Sequence, residues 1–340
     1  MNDISPKIRL LNALNKRETD RPPVICMGGM MNASIVEVMQ SSGYTLPAAH
    51  DHPELMASLA CAIQEQTGFE NLGVPFCMTV EAELLGSQID KGTLACEPKI
   101  TKEAFSSTGN VVFRDLDEMV ESGRIRTVTA ATSRLVQTRP QLPVVVSMTG
   151  PVSTAASIID PMIFYKELRK NPAGAHKVLE YVTELLIRFA EESIKAGATV
   201  IAIGDPSATG EILGPAMFQE YAVRYLNILT SAIHRLETPV ILHICGKIER
   251  VRPLIPQLLA DALSTDAMVN LGKLKEDYPE LTTMGNLSTY ALQWGTPEKI
   301  AAQTEKLVEE GIDIISPACG LSTSTTLANI RAMTQTVQGA

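Results

Sequence analysis

Short, continuously apolar runs alternate with longer amphipathic stretches along almost the whole chain, and no other feature narrows its possible folds so far. The runs PPVICMGG (22–29), NLGVPFCMTV (71–80), LPVVVSMTGP (142–151) and TVIAIGDP (199–206) read as strands. So do PVILHICG (239–246), ALSTDA (262–267), TTMGNLST (282–289) and DIISPACG (313–320). Their bodies are apolar at successive positions rather than at alternate ones, as strands covered on both faces of a parallel sheet require. Elsewhere apolar residues recur at helical spacing: in HPELMASLACAIQEQTGF, over 124–138, and along a stretch ending AEESIKAGA and broken at KNPAG. FQEYAVRYLNILTSAIHRL, IERVRPLIPQLLADA, TPEKIAAQTEKLVEEG and TLANIRAMTQTV continue the pattern. Eight such units predict a (β/α)8 TIM barrel, with a doubly wound open sheet as the alternative.

From Glu81 to Val120 the pattern loosens. SQIDKGTLACEPKI and GNVVFRDLD read as strand pairs, which predicts a flap over 81–120 between the second and third units. A short amphipathic helix precedes the barrel. No linker rich in Pro, Gly or Ser divides the chain, so a single domain over 1–340 is expected.

Composition removes whole classes of function. With a formal net charge of -9 and a pI near 5.2, no basic patch is concentrated enough to bind a nucleic-acid backbone. No apolar run approaches the roughly 20 residues of a membrane span, and the first residues lack a signal-peptide pattern. A cytoplasmic location follows as the expectation. There, Cys26, Cys61, Cys77, Cys96, Cys245 and Cys319 are thiols or metal ligands rather than disulfides.

A barrel carries its chemistry at the C-terminal ends of its strands. In ILHICG, His243 and Cys245 alternate along one strand and so point to the same face. Cys319 ends the last strand, and closure of the barrel brings these ends around one mouth. One imidazole and two thiolates form a zinc-preferring set that leaves a tetrahedral position open, as catalytic zinc sites do. The competing reading of each thiol is a small core hydrophobe, and for Cys26, Cys61, Cys77 and Cys96 that is the default. Asp266 is a candidate fourth ligand or a strand-end hydrogen-bonding residue. Asp205 and Asn286 are candidate site-lining, catalytic side chains. Glu81 and Glu83 reach the mouth or are solvated on the flap. His50, His52, His176 and His234 are assigned to the surface. SMTGP and GDPSATG match no phosphate-binding fingerprint.

The zinc motif formed by His243, Cys245 and Cys319 resembles that of the methylcobamide:coenzyme M methyltransferases, relatives of uroporphyrinogen decarboxylase. RLLNALN…RPPV, VPFCMTVEAELLG, MTGPV, AGATVIAIGDP, MGNLS and GIDIISPACG extend the resemblance along nearly the whole chain. It implies a zinc on His243, Cys245 and Cys319, and a corrinoid over the barrel mouth, usually on a separate carrier protein. It also implies transfer of a methyl group from the corrinoid to a thiol, with coenzyme M the leading candidate. The zinc-bound thiolate would attack the methyl group, leaving cobalt(I). Met27 and Met148, with Met30 and Met31, are candidates to face the corrinoid, against core packing as the commoner fate of methionine. The decarboxylase itself matches poorly, because the first strand leads into CMGGMMNAS and not into an arginine-bearing loop. Alternatives are a methyl ether or methylamine donor methyltransferase, a corrinoid-independent zinc methyltransferase, and a barrel in which zinc only staples the fold.

Overall fold

The computed structural model describes residues 4–339, except for the side chain of Met30. Seven parallel strands form one sheet: β1 (Leu72–Val74), β4 (Val144–Thr149), β5 (Val200–Gly204), β6 (Val240–Ile244), β7 (Ala262–Thr265), β8 (Thr283–Leu287) and β9 (Ile314–Pro317). Sequence neighbours pair throughout, from β1–β4 to β8–β9. Helices on the outside cover the sheet, which gives the α/β barrel that the alternation predicts.

The segment 22–28 fills the eighth position, but not as the regular strand expected there. Pro22 and Pro23 have no N–H to offer a ladder, and a single parallel bridge joins Val24 to Ile315. Ile25 N–H donates to Ile315 O (3.0 Å) and Ile315 N–H to Pro23 O (2.9 Å). Toward β1, one backbone bond, from Glu70 N–H to Val24 O at 2.9 Å, is supplemented by side chains. The Glu70 carboxylate accepts from Val24 N–H at 3.0 Å. Asn71 accepts from Cys26 N–H at 2.9 Å through Oδ1 and donates to Cys26 O at 2.7 Å through Nδ2. Glu70 is itself clamped by Arg9 and Arg21.

Alternation along the strands divides the core into two layers. Val145, Val200, Ala202, Ile241, Ala262, Met284 and Ile314 fill the barrel interior, together with Ile25 and Met27. Leu10, Ala13 and Leu14 of the helix Pro6–Leu14 join this cluster and plug the barrel floor. Val144, Val146, Ile201, Val240 and Leu242 face the outer helices. One step above the interior layer, the same parity carries Ser147, His243, Ser264, Asn286 and Ser316. An apolar floor therefore gives way to a polar rim.

The strand pair expected at SQIDKGTLACEPKI is present, β2 (Gln88–Asp90) antiparallel with β3 (Lys99–Lys102). Two other expectations need correction. GNVVFRDLD forms no strand: a 3-10 turn at Thr108–Asn110 leads into the helix Leu116–Val120, capped by the Asp115 carboxylate. After β6 no α-helix follows, because Pro253 and Pro256 limit that stretch to the 3-10 segment Arg252–Gln257. No helix among the described residues is long and apolar enough to cross a membrane.

Candidate active site

His243 lies on β6 with its side chain in the barrel, in the parity of Ile241, and Cys245 follows immediately beyond the strand. Cys319 lies just past β9, two strands away from β7 across the rim. The His243 ring Nε2 lies 3.0 Å from Cys245 Sγ, and Cys245 Sγ lies 3.5 Å from Cys319 Sγ. All three ligand atoms fall within 4.8 Å of one another. Two sulfurs on one tetrahedral zinc, each ~2.3 Å away, would stand about 3.8 Å apart. The pair is therefore already near ligating separation, and the imidazole needs to open by about half an ångström. Across the sheet, His243 is in register with Ser264 and its Nδ1 lies 3.0 Å from Ser264 Oγ. That contact fixes the ring and leaves Nε2 toward the thiols, the usual support of a metal-binding imidazole.

The two thiols differ electrostatically. Cys319 is held far below the ordinary thiol range, first by its hydrogen bond with Cys245, against burial, and then by His243. Cys245 is pushed up by the same pairing, by burial, and by the charges of Cys319, Asp266 and Asp205. Two adjacent half-buried thiols resist ionising together without a cation between them, so this donor set is one that a soft divalent cation satisfies.

A cavity of about 100 Å³ runs from this group across the mouth. Met27, Met31, Met78 and Met148 line it, with Cys77, Ser147 and the glycines 28, 29, 204 and 320. Met148 shares the register of Val144 and Val146 in the outer core and borders the cavity near the strand end. Cys77 is held from behind: Arg124 Nη1 donates to its sulfur at 3.0 Å, while Nη2 donates to Thr79 O and Oγ1 and Nε to Glu83.

Other expected residues stand elsewhere. Asp205 is fully buried, but its carboxylate turns into the N-terminus of the helix Pro151–Ile158. It accepts from Val152 N–H (3.0 Å), Ser153 N–H (2.8 Å) and Ser153 Oγ (2.6 Å) and does not line the cavity. Burial raises its pKa to about 6 against those hydrogen bonds. The Asn286 amide donates to Asp266 O (2.9 Å) and Val269 O (2.8 Å), tying down the loop after β7. Asp266 lies outside the close ligand group, accepting instead from Gly246 N–H at 3.4 Å and Met268 N–H at 3.1 Å. Glu81 is buried, neither solvated nor at the mouth, and accepts from Thr149 N–H and Oγ1. Glu83 pairs with Arg124 and Lys91.

His50 is also not a surface residue. It is completely buried with both ring nitrogens unpartnered, and burial followed by the nearby Arg124 charge lowers its pKa to about 4. His176 meets Tyr225 and Glu220, and His234 meets Asp261. Sequence reasoning passed over Ser264, Ser147 and Glu97. The lone serine in VVVSMT was the one available signal for Ser147. Glu97 lies between β2 and β3, and its pKa is raised by burial and then by the Cys319 charge.

A barrel with its ligands and cavity at the strand ends is one that known proteins share. Residues 5–340 match the family described as Uroporphyrinogen decarboxylase (URO-D), and the chain belongs to it. Within that family it groups with the methylcobamide:CoM methyltransferases. It is 32% identical to MtbA of Methanosarcina mazei over 98% of both chains. It is also 32% identical to MtaA of Methanosarcina barkeri, covering 98% of this chain and 97% of that one. A solved structure described as a methyltransferase from Methanosarcina mazei superimposes with a TM-score of 0.92, at 30% identity over 99% of each chain. The chain is a methyltransferase of this group.

Proposed function

We propose that this protein transfers a methyl group from a methylated corrinoid, presented by a separate carrier protein, to a small thiol. The convergence of His243, Cys245 and Cys319 beside a cavity at the strand ends carries this reading. The names of the relatives, which specify methylcobamide and CoM, support it. Zinc, when bound by these three residues, would deprotonate the acceptor thiol and orient its sulfur.

The chain's own residues do the rest. Ser264 holds the His243 ring in one orientation. The paired thiols present two sulfurs at near-ligating separation, and as ligands they would donate electron density to a bound zinc and temper its Lewis acidity. The methionine wall, with Met27 and Met148 in it, offers a polarisable apolar surface toward the corrinoid and excludes water from the reacting sulfur. Asp205 and Asn286 act at one remove, anchoring the helix at 151–158 and the loop after β7. A cytoplasmic setting suits free thiols of this kind.

The test is methyl transfer from free methylcobalamin to a thiol panel that includes coenzyme M, followed through the cobalamin spectrum. Zinc-loaded protein should consume methylcobalamin, and chelator-stripped protein and Cys319→Ala should not. Protein that binds no zinc, or zinc-loaded protein that leaves methylcobalamin intact with every thiol, would overturn the reading.

A further inference from the structure

Past β8 the chain turns at once into the short helix Thr289–Trp294, capped by the Ser288 hydroxyl, which accepts from Ala291 N–H. Tyr290 and Trp294 stand four residues apart on it and so share one face. They are 73% and 67% exposed, and Trp294 is the single tryptophan of the chain. One strand along, on the loop after β7, Met268 is 55% exposed, and Asn286 of β8 ties that loop down through Val269 O. Tyrosine and tryptophan are the side chains that most often anchor a protein–protein interface.

Two observations say what covers them. The first is continuity with the barrel mouth. Gln293 Nε2 donates to Ser324 Oγ at 2.7 Å, and Asn329 Nδ2 donates to Leu292 O (2.8 Å) and Gly295 O (3.0 Å). These bonds fasten the helix to the segment that leaves Cys319 and Gly320 at the edge of the cavity. The second is charge. The stretches 281–297 and 314–330, which build this sector of the rim, contain no Asp, Glu, Lys, Arg or His, in a chain that is 20% charged. The loops after β5 and β6, by contrast, carry Glu211, Lys247, Glu249 and Arg250. Aromatic side chains in a setting depleted of charge are the compositional mark of an interface core.

We propose that the β8–β9 sector of the rim, anchored by Tyr290 and Trp294, is the docking surface for the protein that carries the corrinoid. The proposal rests on the methyl-transfer reading above and adds where the donor protein sits. In that reading the cobalt must come within bond-forming reach of a sulfur beside Cys319, so the carrier has to settle on the rim around it. Covering this sector strips no charged side chain of its water, a cost that the rim after β5 and β6 would impose. The matching face of the carrier is therefore apolar and uncharged beside its corrinoid. Free methylcobalamin has no such face, so it makes no use of the two anchors.

The experiment follows methyl transfer to coenzyme M by the zinc-loaded protein from two donors: free methylcobalamin, and a corrinoid carrier protein loaded with methylcobalamin. Tyr290→Ala and Trp294→Ala are compared with wild type; both side chains are largely exposed, so their truncation leaves the core intact. Each variant should raise KM for the carrier about tenfold or more, the range of an interface anchor, and keep wild-type kcat/KM with free methylcobalamin. The wild-type KM for the carrier should change little between low and high salt, because no ion pair forms in the contact. An unchanged carrier KM in both variants, or an equal loss with both donors, overturns the proposal. So does a wild-type dimer in sedimentation that Trp294→Ala turns into a monomer, since the patch is then a contact between copies of this chain. If wild type uses free methylcobalamin but not the carrier, the separate carrier has failed and the docking surface with it, while thiol transfer stands. If it uses neither donor, the methyl-transfer reading itself has failed.

Discussion

The support that Ser264 gives His243 can be tested in isolation from the ligands. Ser264→Ala removes the one hydroxyl at 3.0 Å from His243 Nδ1, in a position that is fully buried and in direct register across β6 and β7. Without it the ring keeps its place on the strand but loses both the tautomer that frees Nε2 and the bond that limits its rotation. Outer partners of metal-bound histidines are worth about 10–100-fold in metal affinity, or roughly 1.4–2.7 kcal/mol at 1.36 kcal/mol per decade. This fits a buried hydrogen bond that becomes charge-assisted once metal is bound, at about 1.5–3 kcal/mol. The assay is zinc competition against a chromophoric chelator, with thermal unfolding of the metal-free proteins alongside. Ser264→Ala should weaken zinc by one to two decades, while Cys319→Ala should lose it much further. Equal zinc affinity in Ser264→Ala and wild type, with metal-free stability unchanged, would refute the orienting role.

Other outcomes follow from the same geometry. Asp205 has a folded pKa of about 6 against 3.8 unfolded, so the native state binds its proton more tightly. Its contribution to stability is greatest below pH 4 and declines as pH rises through 6. His50 acts in the opposite sense, since its pKa of about 4 against 6.5 unfolded lowers stability as pH falls through that range. The difference between wild type and Asp205→Asn, from denaturant unfolding at several pH values, should therefore retain only the Asp205 slope, and a pH-independent difference would refute it. At the barrel seam, a Cβ on Gly73 would stand 2.5 Å from the backbone oxygen of Met27. Gly73→Ala should cost about 1–3 kcal/mol, the usual penalty of overpacking, and a melting point equal to wild type would show that the seam yields.

Much of the architecture was legible because parallel strands covered on both faces must be continuously apolar, and the chain repeats that pattern at regular intervals. His243 and Cys245 were legible for a similarly local reason: a strand alternates its side chains, so two residues two apart share a face wherever the strand lies. Errors arose where local pattern and hydrogen-bonding capacity disagree. PPVICMGG has the apolar content of a strand, but Pro22 and Pro23 lack donors, and beyond them the Glu70 and Asn71 side chains take the Val24 and Cys26 N–H groups that a regular ladder would have used. IERVRPLIPQLLADA has helical periodicity, but its prolines stop the helix.

Residue type alone said even less about the polar side chains. Asp205 and Asn286 were marked by their place at strand ends, yet each is committed to backbone groups of a neighbouring element that only packing brings near. His50 reads as a loop residue until the surrounding core closes over it.

The sequence by itself determined the alternation of strands and helices, the acidic balance, and the presence of one imidazole and two thiols at strand ends. Tertiary structure alone decided that Cys319 comes within 3.5 Å of Cys245, because β7 and β8 separate their strands in the sheet and only its curvature closes the gap. It also set Ser264 behind His243 and left Ser147 without a partner beside the cavity. Local sequence dictates which way a side chain points along its own strand. What it meets there depends on the register and curvature of other strands, which no local pattern records.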